Sequence, residues 1–155
     1  MDQNLLRSYF ATVYELPGDA GVLRVSMDGE IVKDVNGLPP LLRGKFAILT
    51  AYNPRSMLLP RRVNDTRHQV LRDLLILGCY RVEHCVGYDE EPEGVFREPA
   101  WVVHGIARDE SIHFGQTFRQ NTIVYCQDAR PELIVTDPTC DNIGKTFQGN
   151  WRVRV

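Results

Sequence analysis

The sequence lacks the motifs by which many classes of enzyme can be recognised. Neither glycine-rich phosphate loop (GxxxxGK[ST] or GxGxxG) is present, and the HExxH and GxSxG signatures are absent as well. The four cysteines form no CxxC pair, and no other residues have a recognisable metal-ligand spacing, so we predict no metal site and no cofactor. No catalytic signature remains, and the sequence leaves open whether the protein is an enzyme.

Long hydrophobic runs and an excess of basic charge are also missing. No apolar run reaches the ~18 residues needed to cross a bilayer, and the first ten residues contain no signal-peptide core. We therefore expect a cytoplasmic protein with reduced cysteines and no membrane partner. A net charge of -2 argues against broad nucleic-acid binding, which normally requires a basic surface. The 155 residues, 43% of them hydrophobic and 25% charged, are typical of a single soluble domain over 1–155.

The clearest structural pattern is a strand followed by a helix. Residues 46–49 are apolar at every position, which predicts a strand buried on both faces. A helix is predicted over Asp65–Leu77, with Asn64 or Asp65 as its N-cap and Gly78 as a left-handed residue at its C-terminus. Its predicted buried stripe consists of four apolar residues at helical spacing: Val70, Leu71, Leu74 and Leu75.

Shorter patterns predict the rest of the fold. Apolar or alternating segments indicate strands at about 10–16, 22–27, 80–87, 99–106, 121–126, 133–135 and 151–155. A short second helix is expected at about 110–119, with Asp109 as its cap. The predicted class is α+β: a mixed, largely antiparallel sheet of about five to seven strands, with the Asp65–Leu77 helix on one face.

Several motifs follow one another in order along most of the chain. They are Tyr9-x-x-Thr12-x-Tyr14, FAILTAYNP at 46–54, Asn64 and Arg67 with Leu71, Gly78, Glu98-Pro99, and Phe118-Arg119-Gln120-Asn121. In this combination the chain resembles, from about Tyr9 to Leu133, the small bacterial family filed as domain of unknown function 3293. The resemblance implies a bacterial protein with a family-like region over about 9–133 and a C-terminal extension over about 137–155. It implies no mechanism, because the family carries no agreed activity. The family usually has Gly before the Gln, where this chain has Arg119. A Gly would allow another part of the backbone to approach closely at this position, and Arg119 departs from that pattern.

The polar residues of these motifs form the candidate site. Each lies at an end of a predicted apolar element, where ligands bind in many open sheets: Thr50, Asn53, Asn64, Arg67, Glu98, Gln120 and Asn121. Since four arginines (Arg55, Arg61, Arg62 and Arg67) lie near a helix N-terminus, we expect a small anionic ligand, with a nucleotide-like molecule as one candidate. Glu98 is the best candidate catalytic residue, because a buried carboxylate with a raised pKa can act as a general base. The alternative is a structural Arg67–Glu98 ion pair, with Asn53 and Asn64 serving only as turn and cap.

Other functions are also compatible with the sequence. In a non-enzymatic protein-interaction module, Arg55, Arg61, Arg62 and the acidic loop 89–93 would form a polar partner surface. In a third hypothesis, Tyr52, Arg61 and Arg62 contact single-stranded RNA, although the net charge counts against it. His84 and His104 lie on apolar strands, where core histidines are commoner than ligands or bases.

Overall fold

A computed structural model describes residues 2–89 and 97–154 of the chain. In these residues the protein has four α-helices: α1 (Gln3–Ala11), α2 (Pro40–Arg43), α3 (Arg61–Leu77) and α4 (Arg108–Thr117). The strands are β1 (Val13–Gly18), β2 (Gly21–Ser26), β3 (Phe46–Leu49), β4 (Arg81–Tyr88), β5 (Arg97–His104), β6 (Thr122–Gln127), β7 (Arg130–Val135), β8 (Thr146–Gln148) and β9 (Arg152–Arg154). No helix of this described part is long and apolar enough to cross a membrane.

The nine strands form one sheet in the order β8-β7-β6-β3-β5-β4-β1-β2-β9. Every neighbouring pair of strands is antiparallel. The predicted α+β class is therefore confirmed, but the sheet has more strands than the predicted five to seven. The strand β8 has only three residues and follows a segment that contains Pro138, Asn142 and Gly144, which explains why no periodic pattern indicated it.

Helix α3 differs from its prediction at its start and on its buried face. It begins at Arg61, directly after Pro60, so Asn64 and Asp65 both lie inside the helix and neither is its N-cap. Gly78 follows the last helical residue, as predicted, but its φ is -75°, and the left-handed residue is Cys79 (φ 65°). The buried residues of α3 are Asn64, His68, Leu71 and Leu75, whereas Val70 and Leu74 are 46% and 41% exposed. Leu71 and Leu75 of the predicted stripe are therefore confirmed, whereas Val70 and Leu74 are wrong, because the polar Asn64 and His68 complete the buried face. The short helix α4 likewise begins after Ala107, and Asp109 lies in its first turn rather than at its cap.

The sheet buries both of its faces, as the all-apolar β3 predicted. Phe46 and Ile48 belong to a core on the inner face, against which Leu6, Tyr9 and Phe10 of α1 pack. Ala47 and Leu49 point the other way, into a core that α3 and α4 cover on the outer face. The most apolar strand therefore lies near the middle of the sheet, between β5 and β6.

The sheet curls into a half-barrel, and the end of the chain brings its two edges together. Strands β8 and β9 lie at opposite edges, yet only residues 149–151 separate them. Four steps between Cα atoms span at most about 15 Å, so the edges have to approach each other. Gly149 N donates to Pro131 O (2.9 Å) near one edge, and Asn150 N donates to Met27 O (3.0 Å) near the other. The predicted C-terminal extension thus supplies both edge strands.

Candidate binding cavity

A cavity of about 500 Å³ lies between α1 and the inner face of the sheet. Side chains from α1, β1 and β6, and from the segments around β3, β4 and β5, line it. Five of the seven predicted site residues are among them: Thr50, Asn53, Glu98, Gln120 and Asn121. Asn64 and Arg67 do not line the cavity. Both lie on α3 and contact the loop that carries Asn53.

Asn53 connects the cavity wall to helix α3. Its Nδ2 donates to Glu98 Oε1 (3.0 Å), and its Oδ1 accepts from Asn64 Nδ2 (2.8 Å) and Leu59 N (3.1 Å). Asn64 Oδ1 in turn accepts from Asn53 N (3.0 Å). Asn64 is 3% exposed, so its amide is a buried support for Asn53 and is not itself available to a ligand.

The wall near Asn53 has an unusual backbone. Asn53, Arg55 and Ser56 adopt the left-handed region, with φ of 44°, 53° and 59°. Asn tolerates this region better than most residues, but three cases within four positions store strain, which is typical of functional sites. The loop is fixed by a backbone bond from Arg55 N to Arg119 O (2.8 Å). Arg119 itself has φ of 57°, so it takes a conformation that favours Gly, and the close backbone approach is retained without one.

Thr50, Gln120 and Asn121 hold this loop in place. Thr50 Oγ1 donates to Pro99 O (2.9 Å) and accepts from the N–H of residue 52 (3.1 Å). Gln120 is 7% exposed, and its Nε2 donates to the carbonyl of residue 52 (3.1 Å). Asn121 Nδ2 donates to Ser56 Oγ (2.9 Å). These three residues therefore shape the wall from which Asn53 and Glu98 reach the cavity.

Arg67 anchors α3 and forms no ion pair with Glu98. Its Nε donates to Ala51 O (2.8 Å) and its Nη2 donates to Phe118 O (2.7 Å). Burial lowers the pKa of Arg67, and the neighbouring Arg119 lowers it further. The predicted alternative of an Arg67–Glu98 ion pair is wrong, because Nε and Nη2 donate to backbone carbonyls and the hydrogen bond to Glu98 comes from Asn53 instead.

Glu98 is one of two carboxylates among the described residues that line the cavity; the other is Asp89. Glu98 lies on the inner face of β5, two residues before the buried Ala100 and opposite Gly87 in β4. Burial raises the pKa of Glu98; the hydrogen bond from Asn53 opposes this rise, and the charge of Asp89 adds to it. A half-buried carboxylate with a raised pKa can act as a general base or balance the charge of a cation.

The sequence reasoning missed the tyrosine side of the cavity. Tyr9, Thr12 and Tyr14 all line it, although their Tyr-x-x-Thr-x-Tyr spacing was noted only as part of a family pattern. A Cβ atom at Gly87 would lie 3.2 Å from Tyr14 Cε1, so the absence of a side chain there makes room for the ring. The pattern begins in α1 and ends in β1. Because side chains repeat with different periods in a helix and a strand, the sequence does not show that these residues line the same cavity.

The residues of the other hypotheses lie elsewhere. Arg55 is 3.9 Å from Asp137, and Arg61, which is highly exposed, is 3.6 Å from Asp65. Tyr52 is 9% exposed and donates its hydroxyl to Asp65, so its ring cannot stack on a nucleic-acid base. Residues 90–93 of the acidic loop lie outside the described residues. The interaction surface therefore stays a prediction.

The histidines are not placed as the sequence predicted. His84 is exposed on β4, so the expectation of a core histidine there was wrong. His104 Nε2 is 2.8 Å from Glu83 Oε2 and is half-buried. The buried histidine is His68, on α3, whose ring stacks on Trp101 with centroids 4.3 Å apart. In the described parts of the chain, no group of three or more His, Cys, Asp or Glu residues is arranged to hold a metal ion.

Together, the fold and the cavity define a class of protein: a curled antiparallel α+β domain with an acidic cavity beneath its N-terminal helix. The family model described as "Protein of unknown function (DUF3293)" matches residues 49–123, which confirms the family resemblance over this stretch. The match runs from the end of β3 into β6 and contains all seven predicted site residues, whereas α1, β1 and the C-terminal strands lie outside it. No curated protein and no solved structure matches the chain.

Proposed function

We propose that this protein binds a small organic molecule in the cavity beneath α1. The observation that supports this function is the convergence of Thr50, Asn53, Glu98, Gln120 and Asn121 on one cavity, although they are spread over about half of the chain. The volume of about 500 Å³ lies within the range of small-molecule sites. Its wall combines apolar and aromatic surface with a few polar groups that could orient a ligand.

The lining favours a ligand with a different charge from the one expected. Glu98 and Asp89 line the cavity, and no Lys, Arg or His is among its described lining residues. Such a site would repel an anion, including a nucleotide-like molecule, whose phosphates need cationic or backbone N–H donors. The arginines that suggested an anion are engaged elsewhere or point to solvent. A neutral polar molecule or a cation therefore fits the proposed site better.

Ligand screening of the wild-type protein against a variant with a blocked cavity tests the proposal. Ser8 lies on the exposed side of α1 and also lines the cavity, so Ser8→Trp should fill its mouth without disturbing the core. A ligand present at 100 times its dissociation constant should stabilise the wild type by about 2.7 kcal/mol in a thermal-shift assay. We expect Ser8→Trp to abolish this stabilisation.

Two variants serve as controls. Ser8→Ala removes only the hydroxyl, and Arg7→Trp places the same ring on the neighbouring exposed position, which does not line the cavity. Both should bind as the wild type does. A screen of neutral, cationic and anionic fragments in which no compound perturbs the cavity residues, or equal binding by Ser8→Trp, would contradict the proposed function.

A further inference from the structure

We infer that the cavity selects an organic cation, a ligand with an ammonium or guanidinium group, and that the Glu98 carboxylate is its counter-charge. This inference rests on the proposed function, since it assigns the charge of the ligand that the cavity binds.

Glu98 differs from the other glutamates of the sheet. The described strands carry four glutamates, and three of them have a cationic partner or a histidine. Glu15 pairs with Arg24 (3.2 Å) and also with Arg97. Glu83 contacts His104 (2.8 Å) and Arg81 (3.3 Å), while Glu132 pairs with Arg108 (3.1 Å). Glu98 is the exception within the described strands.

The single hydrogen bond that Glu98 makes within the described residues comes from a neutral amide, Asn53 Nδ2 (3.0 Å). A carboxylate has two oxygens and about four acceptor sites, so most of its hydrogen-bonding capacity remains for a ligand. Moving a carboxylate out of water without a compensating cation is unfavourable, which is why buried carboxylates are normally paired. Burial accordingly raises the pKa of Glu98. A ligand that brings its own positive charge would supply the missing partner.

The rest of the lining suits the same ligand. Asp89 adds a second carboxylate, and the rings of Tyr9 and Tyr14 border the cavity. The face of an aromatic ring attracts a cation held within about 6 Å of its centroid. Tyr14 keeps its proton and its neutral ring, because burial raises the pKa of its hydroxyl and the neighbouring Cys85 and Glu98 raise it further. The Tyr88 ring also lines the cavity, but Arg97 lies 4.8 Å from its centroid and so occupies one face.

Three probes of one shape and different charge test the inference: benzylamine, benzyl alcohol and benzoate. Their dissociation constants are measured on the wild-type protein at pH 7.5 by following backbone amides near the cavity in NMR titrations. We expect benzylamine to bind at least about tenfold more tightly than benzyl alcohol, and benzoate to bind most weakly, because an ion pair with a half-buried carboxylate is only partly screened.

Glu98→Gln keeps the shape of the side chain and an oxygen that can accept from Asn53, but it removes the charge. In this variant the amine and the alcohol should bind within about threefold of each other. The control is Glu110→Gln, which removes an exposed carboxylate of α4 on the outer face and should leave the tenfold preference intact. Should Glu98→Gln fail to fold, the order of the three probes on the wild type decides the inference.

The outcomes separate this inference from the proposed function. Tighter binding of benzyl alcohol or benzoate than of benzylamine would overturn the cation preference and leave the small-molecule site standing. A tenfold preference that persists in Glu98→Gln would overturn the assignment to Glu98. If none of the three probes binds, the cation inference is overturned, and the fragment screen with Ser8→Trp then decides the proposed function on its own.

Discussion

At the scale of single residues, His68 has the least expected environment. It is 9% exposed, its ring stacks on Trp101, and the edges of Tyr52 and His84 lie close by, with centroids 5.7 and 5.6 Å away. Neither ring nitrogen has a hydrogen-bond partner in the described protein. Burial and, to a smaller extent, the neighbouring His84 lower the pKa of His68 to about 4, whereas Asp65 opposes the shift. The ring is therefore held in its neutral form by its apolar and aromatic surroundings.

This arrangement predicts a loss of stability in mild acid. The unfolded chain protonates His68 near its ordinary pKa of ~6.5, whereas the folded protein does so only near 4. The folded state therefore binds this proton more weakly than the unfolded state does. The contribution of neutral His68 to the free energy of unfolding should be fully present above pH 6.5, and about 2–3 kcal/mol of it should be lost as the pH drops towards 4. Urea denaturation across this range measures the effect.

The variant His68→Phe isolates the contribution of this residue. It keeps a flat ring against Trp101 and removes the two unpaired nitrogens, so it should raise stability at pH 7 by about 1 kcal/mol and reduce the loss between pH 6.5 and 4. The control is His113→Phe, because His113 is exposed on α4 and should leave the pH dependence unchanged. If His68→Phe and the wild type lose stability in parallel, the assignment to His68 is wrong.

At the scale of elements, α3 is attached to the sheet by polar contacts as much as by apolar ones. Its buried stripe combines Asn64 and His68 with Leu71 and Leu75, and Arg67 extends from the side of the stripe to two backbone carbonyls. The sequence predicted the helix from its apolar residues, but periodicity cannot reveal that Asn64 and His68 are buried, since polar residues are ordinarily taken to face solvent. Their burial depends on partners in the 50–53 loop and on β5.

Replacing Arg67 tests this attachment. Arg67→Met keeps much of the volume but removes both hydrogen bonds and leaves Ala51 O without its partner, so the free energy of unfolding should fall by about 3 kcal/mol. Arg67→Lys should recover little of this loss, because one ammonium cannot reproduce the fork of a guanidinium. Arg62→Met, at an exposed position of the same helix, is the control and should change stability by less than about 0.5 kcal/mol. Urea denaturation provides the values; equal losses in Arg67→Met and Arg62→Met would refute the role of Arg67.

At the scale of the whole molecule, residues 137–154 close the structure. Residues 149–151 join β8 to β9 across the gap between the two edges of the sheet, and the Trp151 ring stacks on Phe46 with centroids 6.0 Å apart. Close contact is possible there because Gly29 has no side chain: a Cβ atom at this position would lie 2.5 Å from Trp151 O. That contact is with backbone, which cannot rotate away as a side chain could.

The substitution Gly29→Ala should therefore disturb the closure of the half-barrel. We expect it to lower the free energy of unfolding by about 2 kcal/mol, since the added methyl group forces a backbone shift. Gly37→Ala is the matched control, because the nearest atom to its new Cβ is 3.9 Å away, at the end of the Asp34 side chain. Chemical denaturation of both variants provides the comparison, and equal stability of the two would show that the contact at Gly29 does not limit the closure.

The cavity brings together five of the seven predicted site residues, and their positions in the sheet explain why. Asn53, Glu98 and Asn121 were selected because they flank apolar segments, and the ends of such segments do meet in an antiparallel sheet. Arg67 was selected by the same rule, but its long side chain donates to the backbone carbonyls of Ala51 and Phe118 and does not line the cavity. Tyr9 and Tyr14 were part of the family pattern but were not predicted as site residues, because they lie on a helix and a strand with different periodicities.

The sequence by itself determined the α+β class, the buried central strand and the long helix, because these follow from local periodicity and from apolar residues that must leave water. It also determined the family resemblance. Only the tertiary structure decided the number of strands, the curl that brings β8 and β9 to facing edges, the burial of His68 and the acidic character of the cavity. The physical reason is that these features depend on contacts between residues far apart in the chain. Local periodicity cannot show, for example, that the carboxylate of Glu98 is bonded to the amide of Asn53 and faces a cavity instead of pairing with a cation.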